Sequence, residues 1–157
     1  MMQINLYTDG AARGNPGPGG YGIVLEWPEK NYRKEFADGF KHTTNNRMEL
    51  LAVIEGLKKL KGSEMQVTVY TDSRYVADAV EKKWVFGWER KKFKGRKNAD
   101  LWKELLEQLG KHTVKFVWIK GHNNHAQNER CDALAVAASK QPQLKVDIGF
   151  IESGPNE

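Results

Sequence analysis

The hydrophobic period of this chain changes near residue 44, and that change restricts the folds open to it. Before it the apolar residues alternate with polar ones. Gln3–Thr8 reads as a strand ending at Asp9, with Ile4 and Leu6 alternating against Gln3 and Asn5. A Gly/Pro-rich turn follows from Gly10 to Gly20, then a strand over Tyr21–Trp27 halted by Pro28, then a weaker one over Tyr32–Phe40. These three predict an antiparallel meander. After the change, Leu50, Val53, Ile54, Leu57 and Leu60 recur at helical spacing, with Thr44 or Asn45 as cap and Gly62 just past the end. Gln66–Thr71 predicts a strand ending at Asp72, and Ser73–Lys82 a helix. A further helix opens at Asn98 or Asp100, carries Leu101, Leu105, Leu106 and Leu109 on one face, and stops at Gly110. Thr113–Ile119 predicts a fifth strand, and Glu129–Lys140 a last helix after a polar loop. A meander followed by βα alternation implies an α/β fold, a mixed sheet with helices on its faces. From Gln141 onward Pro142, Gly149, Gly154 and Pro155 predict a loose tail.

The 157 residues suit one domain, expected over 1–140, with 141–157 as a tail to which the pattern assigns no role. Hydrophobic residues at 39% and charged residues at 29% exclude global disorder. No apolar run approaches the ~18 residues of a membrane span, and no secretory signal is visible. One cysteine, Cys131, excludes an intramolecular disulfide and a four-thiolate metal site. The expectation is a reduced, cytoplasmic protein with no membrane association.

Charge is unevenly placed. Between Lys82 and Lys97 stand eight basic residues and one acid, Glu89, a net +7 within a chain whose formal charge is +5. The rest is slightly acidic. Trp84, Phe86, Trp88 and Phe93 interleave with these cations. A solvated charged helix needs no such aromatics; a nucleic acid offers phosphates to the cations and rings or sugars to the aromatics.

Four acids bear on chemistry. Asp9 and Asp72 fall at predicted strand ends, the edge where open α/β sheets bind ligands. A turn role for Asp9 and a cap role for Asp72 are the plain alternatives. Glu49 lies three residues after Asn46, the spacing of a capping box, and Asp132 borders the apolar face of the last helix. If the four converge, their mutual repulsion requires protons or a cation. Hard oxygen ligands favour Mg²⁺ or Mn²⁺, and shared carboxylates suit the paired ions used in phosphodiester displacement.

Five blocks then carry a resemblance. Asp9-Gly10-Ala11-Ala12-Arg13-Gly14-Asn15-Pro16-Gly17-Pro18-Gly19-Gly20, Thr44-Asn45-Asn46-Arg47-Met48-Glu49-Leu50, Thr71-Asp72-Ser73, Lys120-Gly121-His122 and Asn128-Glu129-Arg130-Cys131-Asp132 resemble bacterial type 1 ribonuclease H, in order, over about residues 3–140. The resemblance implies a ribonuclease H-like fold: a five-stranded mixed sheet with strands 1–3 antiparallel and helices on both faces. It implies endonucleolytic cleavage of the RNA strand of RNA–DNA hybrids, with two Mg²⁺ ions (Mn²⁺ as substitute) and 5′-phosphate and 3′-hydroxyl products. Asp9, Glu49, Asp72 and Asp132 are implied as metal ligands, and His122 as a catalytic loop histidine assisting proton transfer or product release.

Substrate contacts are implied likewise. Asn15, Asn45 and Asn46 face the minor groove and the RNA, where the 2′-hydroxyl distinguishes RNA from DNA. Thr44 and Asn98 grip a DNA-strand phosphate, and Trp84, Trp88 and Phe93 of the basic protrusion, about 82–97, pack on DNA sugars. Backbone contacts of this kind predict little sequence preference. The chain departs from many members at three places. The segment from Trp88 to Asn98 is shorter, position 42 is His rather than Arg, and position 74 is Arg rather than Gln. His42 is expected to weaken the phosphate grip as pH rises, and Arg74 to add affinity or alter a base-edge contact. A monomer with no obligate protein partner is expected.

Other readings fit less well. Gly17, Gly19 and Gly22 spell G-x-G-x-x-G, but a strand follows where a dinucleotide fingerprint requires a helix. His122, His125 and Cys131 lack a fourth convincing zinc ligand. Two rivals stay open: a related two-metal nuclease such as an integrase or resolvase, and a non-catalytic hybrid-binding module.

Overall fold

The structure, a computed structural model, describes residues 2–62, 64–120 and 125–153. Five strands, β1 Gln3–Ala12, β2 Gly17–Trp27, β3 Tyr32–Thr43, β4 Gln66–Thr71 and β5 Thr113–Trp118, form one sheet ordered β3-β2-β1-β4-β5. The first three are antiparallel neighbours; β1–β4 and β4–β5 are parallel. This is the mixed sheet expected from the meander followed by βα units.

Among the described residues six α-helices complete the fold: α1 Asn45–Lys58, α2 Arg74–Glu81, α3 Trp84–Arg90, α4 Ala99–Leu109, α5 Ala126–Ser139 and α6 Ile148–Ser153. Strand alternation feeds two cores. Ile4, Leu6, Ile23 and Leu25 join Met48, Val53, Ile54 and Leu57 of α1 and Trp102 and Leu105 of α4 in the larger one. Tyr7 and Val24 point to the other face, where Cys131 and Leu134 of α5 cover them. Helices therefore lie on both faces.

Two expectations are corrected. β1 does not end at Asp9 but runs on to Ala12, and β2 begins at Gly17, so Asp9 stands inside a ladder opposite Gly22. Of the glycines that read as a turn, Gly10, Gly17, Gly19 and Gly20 are strand residues, and helices lie closely against Gly10, Gly20 and, in the predicted second strand, Gly22. A Cβ on Gly10 would overlap the Met48 and Glu49 backbone, and one on Gly22 would overlap the Cys131 carbonyl.

The described segment after Gln141, up to residue 153, is not loose; Gly154 and Pro155 lie outside the described residues. Lys41 N donates to Lys145 O at 2.8 Å and Lys145 N to Gly39 O at 2.9 Å, fixing it beside β3. Asp147 and Phe150 are then buried. One buried carboxylate and a six-residue helix leave no periodic trace in a sequence, which is why the pattern missed them.

Candidate active site and nucleic-acid interface

Parallel pairing of β1 with β4 sets the first two acids side by side. The ladder matches Tyr7 with Tyr70, and each tyrosine precedes an acid by two residues, Asp9 and Asp72. The close approach at Gly10 brings α1 against β1 and so brings in Glu49. One carboxylate oxygen from each of Asp9, Glu49 and Asp72 lies within 4.8 Å of the others. Asp132, on α5, lines the same cleft of about 420 Å³ with Asn45, Asn46, Ser73, Asn128 and Glu129.

The plain alternatives for three of these acids do not describe this molecule. Asp9 is a ladder residue rather than a turn residue. The α1 cap is Thr44, whose hydroxyl accepts from Arg47 N at 3.2 Å, so Glu49 lies beyond capping-box reach. Ser73 caps α2, accepting from Val76 N at 3.3 Å, and Asp72 is spared that role.

The cleft is electrostatically unbalanced. Burial first, then the charges of Asp72 and Asp132, push the Asp9 carboxyl up to about 8. Burial and the charges of Asp9 and Asp72 hold Glu49 well above the usual carboxylate range. Gly10 N donates to Asp9 Oδ1 at 2.9 Å, which fixes the side chain without neutralising it. Glu49 Oε2 and Asn128 Oδ1 are buried with no hydrogen-bond partner among the described residues. Clustered hard oxygens with unsatisfied lone pairs match the donor set of a divalent cation such as Mg²⁺.

At the rim, two asparagines lock the 13–16 turn to α1. Asn45 Oδ1 accepts from Ala12 N at 2.6 Å, and Asn15 Oδ1 accepts from Asn45 N at 2.9 Å. Their carbonyl oxygens are thus engaged, leaving the NH₂ groups as side-chain donors for a ligand. Asn46 lines both this cleft and a second cavity of about 200 Å³ formed with Asn15, Pro16, Thr44, Lys97, Asn98 and Phe150.

Asn98 precedes α4 in a left-handed conformation, φ 63°, but does not cap it with its side chain. Instead Nδ2 donates to the Tyr75 hydroxyl at 3.0 Å, and Oδ1 accepts from Arg47 Nη1 at 3.3 Å. Arg47, 1% exposed, also makes a bidentate pair with Asp100 at 2.7 and 2.9 Å and another with Asp147 at 2.8 and 3.0 Å. Burial alone lowers its pKa, yet the bonds to Asp100 and Asp147 raise it beyond the ordinary arginine value. His42 is exposed beside this cavity, its ring 5.4 Å from that of Phe150.

The basic protrusion is α3 and the turn that follows. Trp84 is 49% exposed, and with Trp88, Lys83, Arg90, Lys91 and Arg96 it lines an open groove of about 780 Å³. Arg96 lies 4.3 Å above the Trp88 ring, whose edge meets Trp102 at 5.3 Å. Phe93 corrects the expectation of a sugar-facing ring. It is 6% exposed and packed into the larger core, so its surface is spent on anchoring the turn. Arg74 is exposed at the start of α2, its guanidinium 4.1 Å above the Trp118 ring. His122 lies outside the described residues.

Comparison with known proteins agrees with this geometry. The RNase H family model matches residues 1–140. The chain belongs to the ribonuclease H family. It is 54% identical over 153 residues to a ribonuclease H of Desulforamulus reducens, covering 94% of each chain. It is 51% identical over 157 residues to that of Rippkaea orientalis, covering 97% of this chain and 94% of the relative. Among solved structures it resembles LC9-RNase H1, a type 1 RNase H with the type 2 active-site motif, at TM-score 0.79 and 33% identity over 88% of this chain and 72% of that one. It also resembles LC11-RNase H1 in complex with RNA/DNA hybrid, at TM-score 0.67 and 28% identity over 86% and 95% of the two chains. With the family match and these relatives, the chain is a nuclease, a hydrolase.

Several residues of this ribonuclease H family member escaped the sequence reading. Asn128 and Glu129 line the acidic cleft, and Phe150 and Lys97 line the second cavity. Trp118 donates its indole N–H to the Asp72 carbonyl at 3.0 Å. Asn128 and Glu129 sit within a recognised motif, and Lys97 closes the basic segment. Trp118 and Phe150 carry no signal beyond being aromatic.

Proposed function

We propose that this protein is an endonuclease that hydrolyses the RNA strand of RNA–DNA hybrids with two bound divalent ions, Mg²⁺ or Mn²⁺ in its place. The products are a 5′-phosphate and a 3′-hydroxyl. The observation that carries this reading is the convergence of Asp9, Glu49 and Asp72 within 4.8 Å at one cleft whose rim presents Asn45 and Asn46. All donors there are hard oxygens, and the buried Glu49 Oε2 lacks any other partner among the described residues.

When bound, the ions supply Lewis acidity to the scissile phosphate and lower the pKa of attacking water. The chain's own residues do the rest. Asp9, Glu49, Asp72 and Asp132 would hold the ions, with Asp9 and Glu49 buried at the base of the cleft. The NH₂ groups of Asn15, Asn45 and Asn46 meet the minor groove, where the 2′-hydroxyl selects RNA. Thr44 and Asn98 take a DNA-strand phosphate in the second cavity, with His42 at its edge. Trp84, Trp88 and the surrounding cations follow the DNA backbone, which predicts little sequence preference. His122 assists proton transfer or product release, roles that an imidazole suits. We place this work in the cytoplasm and in a monomer, a setting that suits the lone buried Cys131.

One gel tests the reading. A labelled RNA strand is offered as hybrid, RNA duplex and single strand, with Mg²⁺ or EDTA, to wild type and Asp9→Asn. Cleavage of the hybrid alone, dependent on both Mg²⁺ and Asp9, is expected. Binding without cleavage by folded wild type in Mg²⁺ or Mn²⁺ makes the protein a hybrid-binding module instead, and cleavage of duplex DNA makes it a different two-metal nuclease.

A further inference from the structure

We infer that the segment from Gln141 to Ser153 is a positioning element for hybrid binding, acting through Asp147 and Phe150 on the cavity formed with Thr44 and Asn98. This rests on the reading above that the cavity takes a phosphate of the DNA strand.

Asp147 is the joint. It is 8% exposed, and its Oδ2 accepts from Thr43 Oγ1 at 2.7 Å and from Arg47 Nε at 2.8 Å. Its Oδ1 accepts from Arg47 Nη2 at 3.0 Å and from Phe150 N at 3.3 Å. One carboxylate thus ties the end of β3, the first turn of α1 and the start of α6 together. On one side of the joint, Thr43 and Arg47 flank Thr44 in sequence, and Arg47 also holds Asn98. On the other side, α6 carries the Phe150 ring into the cavity wall. The ring is 6% exposed and lies 5.4 Å from His42. The polar wall and the apolar wall are therefore set by the same carboxylate. Neither Asp147 nor the backbone around it lines the second cavity, so Asp147 acts through its neighbours.

The sign of one substitution separates positioning from charge. Arg47 faces two carboxylates, so this network carries a net negative charge beside the cavity. Removing one by Asp147→Asn makes the surroundings more positive, and Coulomb attraction alone predicts tighter binding of a polyanion. A positioning role predicts weaker binding.

The experiment is hybrid binding by anisotropy in EDTA with the full chain, so that it does not depend on cleavage. Wild type, Asp147→Asn, Phe150→Ala, Phe150→Leu and the exposed control Ile151→Ala are compared, each verified as folded by circular dichroism. A second hybrid series replaces single DNA-strand phosphates by neutral methylphosphonates. We expect about tenfold weaker binding for Asp147→Asn and Phe150→Ala, the worth of one hydrogen-bonded phosphate. Phe150→Leu restores most of the loss, and Ile151→Ala matches wild type. The one methylphosphonate position that weakens wild type has little further effect on Phe150→Ala, and kcat for the variants stays within about twofold of wild type. Unchanged or tighter binding by folded Asp147→Asn and Phe150→Ala overturns the inference. So does weaker binding that retains full sensitivity to that methylphosphonate. Failure of the functional reading looks different: wild type then shows no preference for hybrid over duplex DNA, and the inference falls with it.

Discussion

Tyr7 and Tyr70 face each other across the parallel β1–β4 ladder, their rings stacked 4.6 Å apart with a 12° angle between planes. Each stands two residues before an acid of the cleft, so this stack fixes the register that places Asp9 beside Asp72. A slip of one residue would send one of the two acids to the opposite face. Tyr7 is 7% exposed and covered by α5. Tyr7→Ala is expected to lower unfolding free energy by about 3 kcal/mol, the usual cost of emptying a buried aromatic site. Tyr7→Phe keeps the stack and is expected to stay within about 1 kcal/mol of wild type. Denaturant unfolding measures both. Under conditions where Tyr7→Ala is still folded, its Mg²⁺ requirement for cleavage is expected to rise; an unchanged metal dependence would separate the stack from the acids.

The cleft also determines how metal-free stability depends on pH. Asp9 is raised from 3.8 to about 8, chiefly by burial and then by Asp72 and Asp132, and Glu49 moves the same way. The folded protein therefore keeps protons that the unfolded chain has released above about pH 4. Where the folded state binds more protons, stability falls as pH rises, by up to ~1.4 kcal/mol per pH unit for each such proton. Thermal midpoints in EDTA are expected to decline between about pH 4 and 8. Asp9→Asn removes one of the coupled carboxylates, so its profile is expected to be flatter and its midpoint at pH 8 higher. Millimolar Mg²⁺ is expected to restore wild type at pH 8, because a cation that binds the ionised cluster stabilises the fold. An Asp9→Asn profile parallel to that of wild type would assign the slope to other groups.

Trp84 and Phe93 belong to the same protrusion, yet opposite outcomes are expected from truncating them. Phe93, 6% exposed, anchors the turn in the core, so Phe93→Ala is expected to cost about 3–5 kcal/mol of stability. Trp84, 49% exposed, supports little of the core, so Trp84→Ala is expected to leave stability within about 0.5 kcal/mol and to raise KM. Neutralising Lys91, Lys92 and Lys94 together is expected to raise KM and flatten its salt dependence, since each lost phosphate contact removes a released counterion. Melts and KM at two salt concentrations test the set. An unchanged salt slope removes these lysines from the binding account.

Much of this fold is legible from period alone. β4 lies where its β-rich run predicts, and α1 follows its apolar spacing from a cap at Thr44, one of the two candidates. Glycine misleads at Gly10 and Gly20, because a strand that lies hard against a helix backbone uses the same residue as a turn. α3 is hidden because its seven residues, Trp84–Arg90, are too few to display a helical period. The acids are a different case. Nothing in spacing brings residues 9, 49, 72 and 132 to one cleft; motif resemblance named them, and the β1–β4 register with the close approach at Gly10 explains their meeting. Arg47 stands within a motif that implies no role for it, and its partner Asp147 lies where Pro142 and Gly149 predict a loose tail. A buried ion pair is a property of two distant residues, and neither residue's local sequence announces it.

Trp118 gives the sharpest separation of roles near the cleft. Its indole N–H donates to the Asp72 carbonyl at 3.0 Å, and Arg74 stacks on its ring at 4.1 Å. The first contact fixes the backbone that carries an acid; the second holds a cation beside the cleft. Trp118→Phe keeps an aromatic face for the guanidinium but deletes the donor, leaving the Asp72 carbonyl without that bond. It is expected to lower kcat by about tenfold through looser placement of the Asp72 carboxylate, with KM little changed. Arg74→Gln leaves the indole bond intact and is expected to raise KM about threefold with kcat unchanged, the worth of one exposed cation near a polyanion. Trp118→Leu loses both contacts and is expected to show both changes. Steady-state kinetics on one hybrid measure all three. If Trp118→Phe and Arg74→Gln change the same parameter, the two contacts act as one unit, and Trp118 serves to hold Arg74 rather than Asp72.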